Sequence, residues 1–124
     1  MHFSESMIKQ LSFPDFEITV MDWSFERRKL VLQLEGAWWN ADGGMLLGRG
    51  SLVFYEWEGI AVRKYDMISR NWMDVGEGLV EPLKDLPDMT FSDATVYLFG
   101  FAKKSGQWME WKIVRPKMYA DFEI

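Results

Sequence analysis

The sequence predicts an all-β protein, mainly antiparallel, with about seven strands in a β-sandwich or an up-and-down barrel and at most one or two short helices. Two observations support this fold class. Apolar and polar residues alternate with a period of two in many short segments, and most of these segments are joined by short turn-forming stretches. The 124 residues, 48% of them hydrophobic, fit a single β-rich domain spanning residues 1–124.

The first part of the chain predicts a short helix and a hairpin. Residues 5–11 are expected to form one or two helical turns. Strands are predicted over residues 15–23 and 29–35, and the short polar segment 25–28 would connect them as a hairpin. Each strand places one row of apolar side chains on a single face: Phe16, Ile18 and Val20 on the first, and Leu30, Leu32 and Leu34 on the second.

Residues 40–44, with the sequence NADGG, predict a turn because Asn, Asp and Gly tolerate the left-handed backbone region. The turn would connect a strand ending near Trp39 to one beginning near Leu47. Since side chains alternate along a strand, Trp38 and Trp39 should point to opposite faces. One of them is expected in the core, and the other exposed or near a rim.

Residues 50–57 and 60–66 predict central strands, because large apolar groups occur on both faces of each. A tight turn at Glu58 and Gly59 would connect them, and consecutive antiparallel pairing is the simplest topology. Near the C-terminus, strands are predicted over residues 94–103, 108–115 and 118–124. Gly106 provides the turn between the first two of these, because glycine adopts positive φ without a steric penalty.

Residues 67–93 alternate weakly and predict a loop with one short helical turn near residues 81–86. This segment is also the most acidic part of the chain, with Lys84 as its basic residue between Asp74 and Asp93. Irregular segments carry binding residues more often than strands do. The candidate partner-binding residues are Asp74, Glu77, Glu81, Asp85, Asp88 and Asp93.

Composition excludes several chemistries. The chain contains no cysteine and a single histidine, His2, so zinc sites built on His or Cys and Cys-His catalysis are excluded, and we expect no metal and no cofactor. The net charge of -5 argues against nucleic-acid binding. Because no signal peptide is recognisable and no apolar run approaches the ~20 residues of a membrane span, we expect a cytoplasmic protein that does not contact a membrane.

These observations favour a non-catalytic binding protein. In the first hypothesis, the acidic segment binds a basic protein partner, although a solvated acidic loop is an equally good explanation. Alternatively, tryptophans bind a carbohydrate or an apolar ligand, although core packing explains most of them: Trp39, Trp57, Trp108 and Trp111. A third hypothesis is an enzyme that uses Glu56, Glu58 and Glu110 as acid and base. Exposed strand edges would also permit a homodimer.

Part of the sequence resembles a known group of bacterial proteins. The run Phe13-Pro14-Asp15-Phe16-Glu17-Ile18, followed by Leu30-Val31-Leu32-Gln33-Leu34, is similar to the opening of small uncharacterised bacterial domains and immunity proteins of polymorphic toxin systems. The Gly106-Gln107-Trp108 turn is also similar. This resemblance implies a protein that binds and blocks a toxin inside the producing cell, without catalysis.

Overall fold

The computed structural model describes residues 1–41 and 43–124, and it shows a mainly antiparallel all-β protein built from two sheets. The first sheet contains β1 (His2–Phe3), β2 (Leu11–Ser24), β3 (Lys29–Leu34), β4 (Ala37–Trp39), β5 (Met45–Leu47), β6 (Gly50–Tyr55), β9 (Asp85–Leu86) and β13 (Lys117–Phe122). The second sheet contains β7 (Gly59–Asp66), β8 (Asn71–Asp74), β10 (Asp88–Ser92), β11 (Thr95–Phe101) and β12 (Trp108–Val114).

The two sheets form a sandwich and do not close into a barrel. The strand order is β1-β13-β6-β3-β2-β4-β5 in the first sheet, with β9 pairing with β2, and β10-β11-β12-β7-β8 in the second. The all-β prediction is therefore confirmed, and of its two architectures the sandwich is correct. The strands outnumber the expected ones because several are only two to four residues long, too short to show alternation.

The prediction of consecutive pairing is wrong at β6 and β7, which lie in different sheets. Glu56, between them, has a left-handed backbone with φ of 51°. Its amide donates to the Arg28 carbonyl oxygen, whereas the amide of Glu58 donates to the Val114 carbonyl oxygen. The chain thus leaves the first sheet at Glu56 and enters the second at Glu58. The alternation of apolar and polar residues does not predict that the chain passes from one sheet to the other here.

The core lies between the two sheets as one contiguous cluster of buried side chains. The row predicted on β3 is fully buried, which confirms the inward face of this strand. Strands β11 and β12 contribute the facing rows of the second sheet: Val96, Leu98, Met109, Trp111 and Ile113. These residues contribute to the hydrophobic stabilisation of the fold together with the buried residues of the first sheet.

The predicted apolar row on β2 is interrupted by a β-bulge. Ile18 pairs with Leu34, whereas Val20 pairs with the adjacent Gln33, so one extra residue is inserted between them. A bulge shifts the alternation by one position. Val20 is consequently 41% exposed, and Met21 is buried in its place. The prediction that Val20 shares the inward face of Ile18 is therefore wrong.

The acidic segment is more regular than predicted. It contains β8, β9 and β10, and its helical turn is a 3-10 turn at Glu77–Leu79 instead of residues 81–86. Strand β9 pairs with β2, and the backbone of Lys84, immediately before it, is bonded on two sides. The Lys84 amide donates to the Phe101 carbonyl oxygen, and the Lys84 carbonyl oxygen accepts from the Ile18 amide. Tertiary pairing, which the local pattern does not encode, thus replaces the expected loop.

The remaining local predictions have clear outcomes. Helix α1 spans Glu5–Ile8 and is shorter than expected, because Leu11 already belongs to β2. The predicted turn lies between β4 and β5, which pair with each other, but β5 begins at Met45 and ends at Leu47; Asp42, part of the predicted turn, lies outside the described residues. Trp38 is 36% exposed while Trp39 packs against the core, so they occupy opposite faces. Among the described residues, no helix has the length and apolar character needed to cross a bilayer.

Candidate binding surface

The outward side of the second sheet carries a group of aromatic side chains, which we call the aromatic face. Alternation along β11 sends Val96 and Leu98 into the core and the residues between them outward. Neighbouring strands add further rings in register with these. All of the members are partly or largely exposed: Tyr65, Trp72, Tyr97, Phe99, Phe101 and Trp108.

The rings of the aromatic face contact one another in a continuous band. Phe101 packs edge-on against Trp108, with centroids 4.8 Å apart. The rings of Phe99 and Trp108 are nearly parallel, with planes 13° apart and centroids at 6.2 Å. Trp72 bridges to Phe99 at 6.4 Å and to Tyr65 at 5.5 Å. Mutual packing of this kind orders the rings before any partner arrives.

An ion pair lies in the middle of this face. Nε and Nη2 of Arg63 each donate to a different carboxylate oxygen of Glu110, both at 2.9 Å. The Glu110 side chain is 6% exposed and that of Arg63 is 38% exposed. The Arg63 guanidinium also lies over the Trp72 ring, 5.0 Å from its centroid. This bidentate arrangement satisfies the buried carboxylate and fixes Arg63 against the rings.

The three carboxylates considered for acid-base catalysis are each paired with a different cation. Glu110 binds Arg63, Glu58 binds Arg115 at 3.1 Å, and Glu56 binds Lys117 at 2.5 Å. The hydrogen bond and positive charge of Lys117 lower the pKa of Glu56. A general acid requires a raised pKa, so the shift of Glu56 is in the unfavourable direction.

The four tryptophans of the ligand-binding hypothesis are not brought together. Trp57 and Trp111 are buried in the core. Trp39 packs edge-on against Phe3, at 5.5 Å between centroids, and its indole nitrogen is buried. Of the four, Trp108 belongs to the aromatic face. A surface platform made from all four residues is therefore not available to a sugar.

The six acidic residues are also dispersed. Asp74 and Asp88 lie on β8 and β10, the opposite edges of the second sheet, about 19 Å apart at ~4.8 Å per strand. Two others bind backbone amides: Glu81 accepts from Lys104 and Ser105, and Asp85 accepts from Phe101. Glu77 begins the 3-10 turn and Asp93 lies between β10 and β11. The acidic residues therefore do not form one patch.

Sequence reasoning identified Trp108 but missed the rest of the aromatic face. The alternation of Tyr97, Phe99 and Phe101 against Val96 and Leu98 was visible, yet both rows are apolar. Either row could face the core, so the pattern did not reveal that the aromatic row is outward. The pairing of Arg63 with Glu110 joins residues 47 positions apart and leaves no local signal.

Within residues 1–41 and 43–124, no group of three or more His, Cys, Asp or Glu side chains is arranged to hold a metal ion. Comparisons of the chain with protein-family models, with curated protein sequences and with solved structures found no match. The geometry of the described residues is therefore the basis for a functional proposal.

Proposed function

We propose that this chain is a non-catalytic binding protein that recognises a protein partner through the aromatic face. The observation that carries the proposal is the continuous band of partly exposed rings on the outward side of the second sheet. Outward sheet faces are normally polar because they contact water. A contiguous aromatic surface in that position favours contact with another molecule.

The composition of this surface matches the centre of protein interfaces. Trp, Tyr and Arg are the residues that most often dominate binding energy when they are packed and desolvated. The aromatic face offers Trp72, Trp108 and Arg63, the last already neutralised by Glu110. Exposed side chains at the β7–β8 turn extend the apolar surface: Met67 is 78% exposed and Ile68 is 94% exposed.

The polar rim of the aromatic face includes Asp74 and Asp88 at its two edges. These carboxylates, together with the net charge of -5, would steer a basic partner toward the surface. We therefore place the partner-binding role of the acidic segment in these two residues. An immunity-type inhibitor that blocks a basic toxin in the cytoplasm is the specific form of the proposal, and the absence of cysteine fits that reducing compartment.

The proposal can be tested with a double variant, Trp72→Ala with Phe101→Ala. Candidate partners are captured from the source cells, purified, and titrated by calorimetry against wild type and variant. Removal of these two side chains should raise the Kd of a true partner at least 100-fold. Trp38→Ala is the matched control, because it removes a partly exposed tryptophan from the first sheet. A purified partner that binds the double variant with unchanged affinity would refute the role of this face.

A carbohydrate ligand is the second candidate, supported by one specific observation. The rings of Tyr97, Phe99 and Trp108 are nearly parallel, with successive planes 14° and 13° apart, an arrangement on which sugar rings could stack. Titration of soluble oligosaccharides, monitored by tryptophan fluorescence, separates the candidates. Quenching that disappears in Trp108→Ala supports a sugar, whereas no quenching by any oligosaccharide favours the protein partner.

A further inference from the structure

A cleft of about 530 Å³ lies away from the aromatic face, between helix α1, the β10–β11 turn and the β12–β13 turn. Its volume is within the range of small-molecule sites. The apolar part of its lining includes Phe91, Val96, Pro116 and Met118. The cleft is therefore large enough, and apolar enough, to receive a small organic molecule.

Two turns that border the cleft have strained backbones. Asp93, Ala94 and Arg115 all line it, and their φ values are 50°, 59° and 48°. The Arg115 amide donates to the Ala94 carbonyl oxygen at 2.9 Å, which connects the two turns. Non-glycine residues in this region are unfavourable, and such strain is concentrated at functional sites.

Ala94 is the informative member of this group. A two-residue hairpin turn with positive φ at both positions accepts Asp followed by Gly most easily. Alanine has no polar group with which to offset the left-handed conformation. The turn geometry accounts for the positive φ of Ala94, but it does not account for a methyl group there. Ala94 is one of the residues that line the cleft.

The charged groups around the cleft are of both signs. Glu5 and Lys9 lie one helical turn apart on the α1 side, and Asp93 and Arg115 lie on the opposing turns. The α1 wall therefore offers one carboxylate and one cation, whereas on the opposing wall Arg115 is already paired with Glu58 at 3.1 Å and Asp93 is the available charge. The Lys9 ammonium also lies 5.7 Å from the centroid of the Phe91 ring, which places positive charge beside an apolar surface.

We propose that this cleft binds a small zwitterion with an apolar side chain, such as a free amino acid. Its carboxylate would bind Lys9, its ammonium group would bind Asp93 or Glu5, and its side chain would contact Phe91 and Met118. A singly charged ligand would be attracted by the charges of one sign and repelled by those of the other, so the cleft discriminates against it. The inference does not depend on the proposed function of the aromatic face.

Three probes that share a phenyl group test the proposal: phenylalanine, 3-phenylpropanoate and 2-phenylethylamine. They are zwitterionic, anionic and cationic, respectively. Each is titrated into isotopically labelled full-length protein, and amide chemical shifts are followed. Phenylalanine should give saturable shifts at Phe91, Ala94 and Val96, with a Kd on the order of millimolar for a ligand of this size. It should bind at least tenfold more tightly than either analogue.

Charge variants sharpen the test. Asp93→Asn retains a residue that tolerates positive φ, and it should weaken phenylalanine binding while strengthening the binding of phenylpropanoate. Lys9→Met should weaken the binding of phenylalanine and strengthen the binding of phenylethylamine. Lys29→Met, on the outward side of β3, is the control and should change nothing. Absence of saturable shifts, equal affinity for the three probes, or unchanged preferences in the variants would each overturn the proposal.

The strained backbone of Ala94 can be tested separately, by its effect on the melting temperature. Ala94→Gly should raise the melting temperature by about 3 °C, because glycine adopts positive φ freely, and the lost methyl contact should weaken phenylalanine binding. A variant that is stabilised yet binds phenylalanine as wild type does would show that the methyl group is not part of a ligand site.

Discussion

The outward faces of the two sheets differ in kind, although their inward faces build a single core. On the first sheet, polar residues such as Lys29, Gln33 and Asp121 share the outward face with Tyr55 and Tyr119, whose rings pack edge-on with centroids 5.9 Å apart. On the second sheet, the outward positions carry the six rings of the aromatic face and one ion pair, in which Glu110 is buried and Arg63 is partly exposed. Burial of the inward rows already accounts for the fold, so the outward aromatic rows are not needed for a core.

The largest expected change in stability is that of a buried tryptophan variant, which is compared with a partly exposed tryptophan on the same strand. Trp111 is fully buried on the inward side of β12, and Trp108 is partly exposed on its outward side. Trp111→Ala should lower the free energy of unfolding by about 3–5 kcal/mol, and Trp108→Ala by about 1 kcal/mol. Urea unfolding monitored by circular dichroism measures both. Equal losses would mean that the outward rings are as structural as the core.

A second prediction concerns the contact that joins the sheets at β9. A β-carbon added to Gly100 would meet the carbonyl oxygen of Asp85 at 2.2 Å, a distance that backbone atoms cannot tolerate. Gly100→Ala should therefore destabilise the protein by about 2–3 kcal/mol. Gly76→Ala is the control, since nothing lies within 4 Å of its added carbon. If both variants unfold at the same urea concentration, β9 does not constrain the sheets.

Removing the charge of Glu110 should have a somewhat smaller effect. Glu110→Gln loses a charge-assisted bidentate bond, whereas Arg63 is exposed enough to recover hydration, so we expect a loss of about 1.5–2 kcal/mol. The same variant should release Arg63 from Trp72 and change the near-ultraviolet circular dichroism of the rings. Unaltered ring signals would indicate that the ion pair does not order the aromatic face.

The smallest effect is expected on the first sheet, where Lys117 and Glu56 form an exposed pair. Lys117 lowers the pKa of Glu56 below its ordinary value of 4.5. A carboxyl group with a lowered folded-state pKa stabilises the fold above its unfolded pKa, and this contribution disappears as the pH falls. Lys117→Met should slightly flatten the loss of stability below pH 4.5, and added salt should abolish the difference. A pH profile that retains its slope would contradict the pairing.

The inward rows of β3 and β12 were predictable because in each strand apolar residues alternate with charged or polar ones. Three features were not predictable. The bulge beside Val20 depends on pairing with a distant strand. The passage from one sheet to the other at Glu56 depends on a single left-handed residue. The outward direction of Phe99 depends on which of two apolar rows meets the opposite sheet. In each case the local sequence is compatible with more than one structure, and tertiary contacts determine which one forms.

Strand β9 has a consequence for how the aromatic face would meet a partner. Strand β9 pairs with β2, and the adjacent Lys84 donates its amide to the Phe101 carbonyl oxygen at the end of β11, so a sliding movement between the sheets would break backbone hydrogen bonds. The backbone that carries the rings of the aromatic face is accordingly expected to be rigid. A partner should therefore bind the aromatic face without a change in the backbone of this protein, and little conformational entropy should be lost on binding. Selectivity should then depend on how well the surface of the partner fits the face.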